Sequence, residues 1–210
     1  MVLLESLPEV IINKIKSYVI FTPNNKELKK AVDLWHEDKR IANKLYGHIS
    51  SWDTKKVTFM NNLFSFDVYF NSVISSWDVS NVTDMHSMFN EAKSFNQTLN
   101  NWDVSNVTDM RDMFSDAYRF NQPLDNWDVS SVTNMSKMFS YAISFNQPLN
   151  NWIVSNVMHM NGMFEYAESF NQDINNWDVS NVKDHFNKKN MYWMFMGANS
   201  LTNLPEWYDD

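Results

Sequence analysis

One pattern of apolar and polar residues recurs along most of the chain with a period of 25 residues. A tryptophan marks each unit, and six tryptophans follow this spacing: Trp52, Trp77, Trp102, Trp127, Trp152 and Trp177. A fixed period between about 20 and 50 residues is typical of repeat proteins, in which each coil buries an apolar face that it cannot bury alone. The pattern therefore predicts an elongated stack of coils in which these tryptophans form a structural ladder.

The two halves of each unit have different apolar periodicities. In the first half, Leu99, Trp102 and Val104 alternate with polar residues, as in a short strand. The second half has apolar residues at the spacing of one helical face, namely Val107, Met110, Met113, Phe114 and Ala117. Together they predict an α/β repeat, a right-handed leucine-rich-repeat-like solenoid of about six to seven strand-helix coils.

Polar residues recur at two fixed places in each unit. Asn106 and Asp109 stand where the predicted helix begins, and this spacing predicts a helix cap in each coil. Phe120-Asn121-Gln122 follows the predicted helix, and stacking would bring each amide to about 5 Å from its copy in the next coil. Because an amide both donates and accepts, a column of asparagines is expected to be structural.

The pattern divides the chain into three parts. Residues 25–51 have apolar residues at helical spacing and contain Gly47, a residue typical of a helix end, so they predict a helical N-cap of the solenoid. Residues 52–210 form the predicted repeat solenoid with a C-terminal cap. Extra residues near 184–189 interrupt the last unit, and terminal repeats are expected to be atypical.

Residues 1–24 predict a short amphipathic helix. Its entry and apolar face consist of Leu7, Pro8, Ile11, Ile12 and Ile15. Over residues 7–19 this segment resembles the first helix of an F-box, which docks a substrate adaptor onto a ubiquitin-ligase scaffold. The resemblance implies that these five residues contact the ligase. The alternative is a helix that only covers the open end of the solenoid.

The repeats themselves resemble the BspA-like or DUF285 surface-protein repeat family. The resemblance rests on runs such as Phe-Asn-Gln-Pro-Leu-Asn-Asn-Trp at 145–152 and covers about residues 26–207. It implies a stacked repeat fold and a role in adhesion or protein interaction. The family occurs in bacterial surface proteins, protist proteins and large DNA viruses. An F-box-like start joined to such repeats is most similar to the viral and eukaryotic arrangement.

Composition narrows the possible partners. The chain has 17 basic and 25 acidic residues and a net charge of −8, which argues against binding to a nucleic-acid backbone. It has no cysteine, so neither a disulfide nor a thiolate metal site is expected. No run of residues predicts a membrane span or a signal peptide. We therefore expect a protein partner and a cytoplasmic location, in the host cytoplasm or the virion if the protein is viral.

No catalytic or cofactor-binding motif stands out. The five histidines occupy unrelated positions in the period, and their spacing predicts no metal site. The chain lacks a glycine-rich phosphate loop and a Gly-x-Ser-x-Gly motif. These observations predict a protein that is not an enzyme and binds no cofactor, with a hydrolase as a remote alternative.

Positions that vary between units are candidates for partner recognition, because the repeated positions are committed to stacking. Tyr118, Tyr141, Ile143 and Tyr166 predict an apolar and aromatic cluster on the middle coils. Exposed tyrosine is enriched at protein interfaces. Ordinary packing of tyrosine along the surface is the alternative.

An acidic column is a second candidate surface. Asp103 and Asp128 belong to a set of aspartates that follow the repeated tryptophans, and Ile153 interrupts the set with an apolar side chain. These residues predict a track for calcium or a basic partner. The alternative is that each aspartate accepts a hydrogen bond from a turn or from the neighbouring coil.

These features predict a non-enzymatic repeat scaffold that mediates protein–protein interaction. One version is a viral or eukaryotic F-box-like adaptor that brings a substrate to a ubiquitin ligase. The alternative is a structural surface protein, an adhesin or a virion component.

Overall fold

The computed structural model describes residues 20–182 and 188–208. Two α-helices precede the repeats in these residues, α1 at Asn25–Glu37 and α2 at Lys39–Tyr46. Short 3-10 helices span Ile49–Ser51 and Lys188–Met191. The other described residues form turns and extended segments without a regular strand. The prediction of an α/β solenoid made of strand-helix coils is therefore wrong.

Each 25-residue unit is a coil of successive tight turns. Phe89 donates its N–H to Met113 O of the next coil, and Phe114 donates to Met138 O, both at 2.9 Å. Met113 itself donates to Met110 O within its own coil at 3.2 Å, which closes a turn. In an α-helix every N–H would instead bond the carbonyl four residues earlier. The apolar residues at helical spacing are therefore buried in a series of turns. Alternate N–H groups in these turns donate hydrogen bonds to carbonyls of the next coil.

The predicted strand is also replaced by a turn. Trp102 donates its N–H to Leu99 O at 3.0 Å, which bends the chain where an extended strand was expected. Neighbouring coils make isolated parallel bridges at one residue each, such as Asp84 with Asp109 and Asp109 with Asn134. One bridge per coil is too short a contact to form a sheet.

Left-handed backbone makes these turns possible. Ser87 has a φ of 55° and Glu91 a φ of 57°, and residues at the same places in other coils also have positive φ. This conformation costs an L-residue about 1–2 kcal/mol. The N–H groups of Ser87 and Glu91 bond the next coil at 2.8 Å, and these bonds help to offset the cost. Gly162 occupies the position of Ser87 in a later coil, with a φ of 61°.

Aromatic columns form the core. One column has ring centroids 5.5–5.7 Å apart and consists of Phe64, Phe89, Phe114, Phe139, Phe164 and Phe195. Within a coil, Phe114 stacks on Phe120 at 4.0 Å. Trp127 and Trp152 lie beside these columns with nearly parallel rings 6.4 Å apart. Because each ring touches its copies above and below, a coil depends on its neighbours for its core.

The segment predicted to be helical, residues 25–51, contains both α1 and α2. Asn24 caps α1, and Gly47 ends α2 with a φ of 77°. The apolar face of α1 is buried and consists of Leu28, Ala31, Val32 and Trp35. Asn25 Oδ1 accepts the N–H of Thr58 at 2.8 Å, which fixes the start of α1 to the first coil. The helix therefore covers the N-terminal end of the stack.

Candidate interaction surfaces

The six repeated tryptophans lie inside the stack. Each is only 2–4% exposed. The indole Nε1 of Trp127 donates to Leu99 O of the preceding coil at 2.9 Å, and Trp152 donates to Leu124 O at 3.0 Å. These residues hold adjacent coils together, so a partner cannot reach them.

The asparagine column is bonded in the same repeated way. Asn121 Oδ1 accepts the N–H of Asn146 and the side-chain amide of Gln147, both at 2.9 Å. Asn121 in turn donates its own N–H to Asn96 Oδ1 at 3.0 Å. Each asparagine therefore satisfies two donors of the next coil, which leaves its oxygen little capacity for a partner.

The polar residues predicted to cap helices bond differently. Asn106 Nδ2 donates to Ser80 O of the preceding coil at 2.8 Å. Asp109 Oδ1 accepts the N–H of Arg111 at 2.9 Å and so stabilises a turn. The prediction of a helix cap in each coil is wrong, because no helix begins at these residues.

Asp103 and Asp128 of the acidic column each accept hydrogen bonds from the serine two residues later in the same turn. Asp103 Oδ1 accepts the N–H of Ser105 at 3.1 Å and its hydroxyl at 2.6 Å. Asp128 accepts the N–H of Ser130 at 3.0 Å, and hydrogen bonds from Ser130 lower the pKa of Asp128. Ile153 interrupts the column and is 62% exposed. The hydrogen bonds account for the repeated aspartates without a metal ion or partner.

The sequence places four residues in a tyrosine patch, defined as Tyr118, Tyr141, Ile143 and Tyr166. The structure stacks the rings of Tyr141 and Tyr166, with centroids 4.7 Å apart. Tyr118 and Ile143 are half-buried in an adjacent column, and Lys93 Nζ lies 5.1 Å from the centre of the Tyr118 ring. The patch therefore combines one aromatic pair with a neighbouring cation–aromatic contact.

Tyr166 is held in place at the C-terminal side of the patch. Its ring packs directly on Gly197, where an added Cβ would lie 2.4 Å from the ring. Gly197 also has a φ of 71°, which favours glycine. Tyr141 remains 39% exposed above this support. The pair thus presents a firmly placed aromatic surface to solvent.

One cluster of titratable residues was missed by the sequence analysis. Asp84, His86 and Asp109 have possible ligand atoms within 4.8 Å of one another, and they form the single such group of three among the described residues. His86 Nδ1 lies 2.8 Å from Asp84 Oδ1, and its Nε2 lies 3.1 Å from the amide of Asn62. The signal in the sequence is Asp-x-His with a second aspartate one period after the first.

This cluster has the donor types of a transition-metal site, because carboxylate and imidazole suit zinc, manganese and iron. Both ring nitrogens of His86 already have hydrogen-bonding partners, and all three residues are half-buried. A metal ion would have to break the bond between His86 and Asp84. Hydrogen bonding is therefore sufficient to explain the arrangement.

Asp112 lies beside this cluster. Burial raises the pKa of the Asp112 carboxyl, while the positive charges of Lys137 and Arg111 oppose the rise. These residues border a surface depression of about 420 Å³ that also includes His159. The depression mixes both signs of charge, so it does not favour one charged ligand.

The predicted ligase-docking helix cannot be placed on the fold. Its five candidate residues fall within residues 1–19, which lie outside the described residues. None of the helices in residues 20–182 and 188–208 combines the length and hydrophobicity that a membrane span needs.

A protein-family model described as "Mycoplasma protein of unknown function, DUF285" matches the chain over residues 34–132 and 123–209. The two matched segments together include all of the stacked coils. No curated protein and no solved structure matches the chain.

Proposed function

This chain belongs to the DUF285 family of repeat proteins, and we propose that it is a non-enzymatic scaffold that binds another protein. The observation that carries the proposal is the division of side chains into two sets. Most residues that repeat every 25 positions are buried or bonded to the neighbouring coil, as Trp127 and Asn121 are, and the repeated aspartates accept hydrogen bonds within their own turn, as Asp103 does. Residues that differ between coils remain outside, where they are free to recognise a partner.

The bonding of His86 supports the non-enzymatic part of the proposal. A hydrolase would need a general base that can accept a proton from a substrate or water. His86 is the histidine of the one close Asp-His-Asp group in the described residues, and both of its nitrogens are engaged by Asp84 and Asn62. This arrangement favours a structural role for His86.

The tyrosine patch is the surface that we assign to the partner. Tyr141 and Tyr166 offer stacked rings, and exposed tyrosine contributes strongly to protein interfaces. Burial is the largest cause of the raised pKa of Tyr141, and the nearby charges of Glu165 and Asp116 raise it further. Aromatic rings with an acidic rim suit a partner segment that carries arginine or lysine next to an apolar side chain. Lys93 over Tyr118 is an internal example of the same contact.

The partner surface can be tested with a photo-crosslinking amino acid at position 141. We expect crosslinks to a discrete partner from this position. Tyr69 is the matched control, because it is 83% exposed but lies outside the patch on the first coil. A Tyr141→Ser variant should lose the partner and a Tyr69→Ser variant should keep it. Equal crosslinking from both positions, or equal retention by both variants, would refute the assignment.

The finer proposal is an F-box-like adaptor. It rests on the resemblance of residues 7–19 to an F-box helix, with Pro8 and Ile12 as contacts. A purified ubiquitin-ligase adaptor protein should then bind the full chain, and a Pro8→Ala/Ile12→Ser double variant should lose this binding. Binding that survives the double variant would leave the helix as a cap only.

The alternative is a structural surface or virion component, which the family resemblance favours. The two proposals differ in where the protein works, because an adaptor acts in the cytoplasm. The lack of cysteine suits the reducing cytoplasm. Cell fractionation separates the two: recovery only in envelopes or purified particles would contradict the adaptor.

A further inference from the structure

The middle coils place two carboxylates beside the stacked tyrosine rings. Positions 116, 141 and 166 are one period apart, so Asp116, Tyr141 and Tyr166 follow one another along the stack. The N–H of Asp116 donates to Ser140 O at 2.8 Å, and the N–H of Tyr141 donates to Glu165 O at 2.7 Å. These backbone bonds fix Asp116 in the coil before Tyr141 and Glu165 in the coil after it.

The two carboxylates lack a counter-ion. Neither Asp116 nor Glu165 forms an ion pair with a basic residue in the part of the chain that the structure describes. Asp116 Oδ2 accepts a long hydrogen bond from the hydroxyl of Ser115 at 3.4 Å. Both acidic side chains are only half-buried. A cationic group from another molecule can therefore approach both of them.

The negative charges act on the ring of Tyr141. Burial raises the pKa of the Tyr141 hydroxyl, and the charges of Glu165 and Asp116 raise it further because they disfavour the phenolate. The same charges attract a cation placed over this ring. The face of an aromatic ring attracts a cation as well. Two separate attractions thus favour a cation at the same place.

A neighbouring ring already has such a contact. Lys93 Nζ lies 5.1 Å from the centre of the Tyr118 ring. Among the described residues, no basic side chain lies over Tyr141 or Tyr166 in this way. Tyr141 is 39% exposed. The ring of Tyr141 is therefore free to receive a cation from a partner.

Arginine suits this surface better than lysine does. Its guanidinium is planar and stacks on an aromatic ring, while the N–H groups at its edges remain free to bond carboxylates on both sides. The ammonium of lysine is compact and more strongly hydrated. Ile143 follows Tyr141 in a tight turn, closed by a bond from its N–H to Tyr141 O at 2.9 Å. Its half-buried side chain offers an apolar surface to the methylene stem of an arginine.

We propose that Tyr141, Tyr166, Asp116 and Glu165 form a binding site for the guanidinium group of an arginine in the partner protein. The guanidinium stacks on the exposed ring of Tyr141, which Tyr166 supports from behind. Its N–H groups donate to the carboxylates of Asp116 and Glu165. This inference rests on the proposed function, because it names the side chain by which the partner engages the tyrosine patch.

The probes are three synthetic nine-residue peptides of glycine and serine with a central leucine. The residue after the leucine is arginine, lysine or citrulline, and citrulline has the shape of arginine without its charge. An NMR titration follows the ring resonances of Tyr141 and Tyr166. We expect saturable shifts with the arginine peptide. Binding should be about tenfold weaker with citrulline and at least about threefold weaker with lysine.

Variants of the protein locate the binding. Asp116→Asn/Glu165→Gln should weaken the arginine peptide by about tenfold and remove the preference over citrulline. Asparagine tolerates the φ of 57° at position 116, so the turn should persist. Glu37→Gln/Glu206→Gln is the matched control, because it removes two charges from exposed residues outside the middle coils and should bind like the parent. Tyr141→Phe keeps the ring and should bind, whereas Tyr141→Ser should not.

Several results would overturn the arginine site. These are the absence of saturable binding, equal binding of the arginine and citrulline peptides, and equal weakening by the two double variants, which would indicate net charge alone. Failure of the proposed function has a different signature. If position 141 crosslinks to a partner but the peptides show no preference for arginine, the patch binds its partner without this site. If the preference is present but no partner crosslinks, the arginine site stands and the assigned role of the patch fails.

Discussion

Replacement of Trp127 by alanine tests how the stack is stabilised. The side chain is 3% exposed, and its ring lies 6.4 Å from Trp152 and 6.3 Å from Phe114. Truncation of a buried aromatic residue costs about 3–5 kcal/mol. The loss of the bond from Nε1 to Leu99 O adds about 1 kcal/mol. We therefore expect Trp127→Ala to lose about 4–6 kcal/mol of unfolding free energy, a large part of the roughly 5–15 kcal/mol of a natural domain.

Urea unfolding followed by circular dichroism measures this loss, and hydrogen exchange shows where it acts. Trp193→Ala is the matched control, because it removes the same side chain from a site that is 63% exposed. It should cost less than about 1 kcal/mol. Asp103→Asn should also leave the free energy of unfolding nearly unchanged. If Trp127→Ala is no more destabilising than Trp193→Ala, the tryptophan column does not hold the coils together.

Three further substitutions test other parts of the stack by the same urea assay. Asn121→Ala removes the acceptor of two bonds from the next coil and should cost about 1–3 kcal/mol; an equal loss in Asn101→Ala, at an exposed residue, would contradict this. Ser87→Gly relieves the strain of a positive φ and should raise the free energy of unfolding by about 0.5–1 kcal/mol, whereas Ser94→Gly should lower it. If both variants are less stable than the parent, Ser87 is not strained. Burial raises the pKa of Asp112, so the folded protein binds this proton more tightly than the unfolded chain does. The protonated carboxyl therefore stabilises the fold fully at acid pH, and this stabilisation is lost as the pH rises through the raised pKa. Asp112→Asn should therefore be more stable than the parent at pH 7 and lose this advantage below the ordinary aspartate pKa; an advantage that persists in acid would contradict the cause.

The period made the stacking predictable, because each coil must place the same residue above its copy. Trp127, Phe120 and Asn121 lie in columns for this reason. The helical cap was predictable as well, since the apolar spacing of α1 and the glycine after α2 are local signals.

The secondary structure of the coils was not predictable from apolar spacing. Met110, Met113, Phe114 and Ala117 fit one helical face, yet they are buried by a series of turns. The difference lies in the backbone partners: Phe114 bonds Met138 of the next coil. The pattern of apolar and polar residues indicates which side chains are buried, but it does not indicate which carbonyls accept hydrogen bonds from the backbone N–H groups.

The candidate surfaces were predictable only in part. Tyr141 and Tyr166 share a column, so the period alone brings them together. The contact of Lys93 with Tyr118 depends on side-chain rotamers, which the sequence does not specify.

Backbone hydrogen bonds in the repeats run between neighbouring coils and not along a helix. NMR scalar coupling across hydrogen bonds measures this directly in the isotope-labelled protein. We expect a coupling between the amide nitrogen of Phe114 and the carbonyl carbon of Met138, because the N–H of Phe114 donates to Met138 O at 2.9 Å. A coupling from Phe114 to Met110, four residues earlier in the chain, would show an α-helix and contradict it.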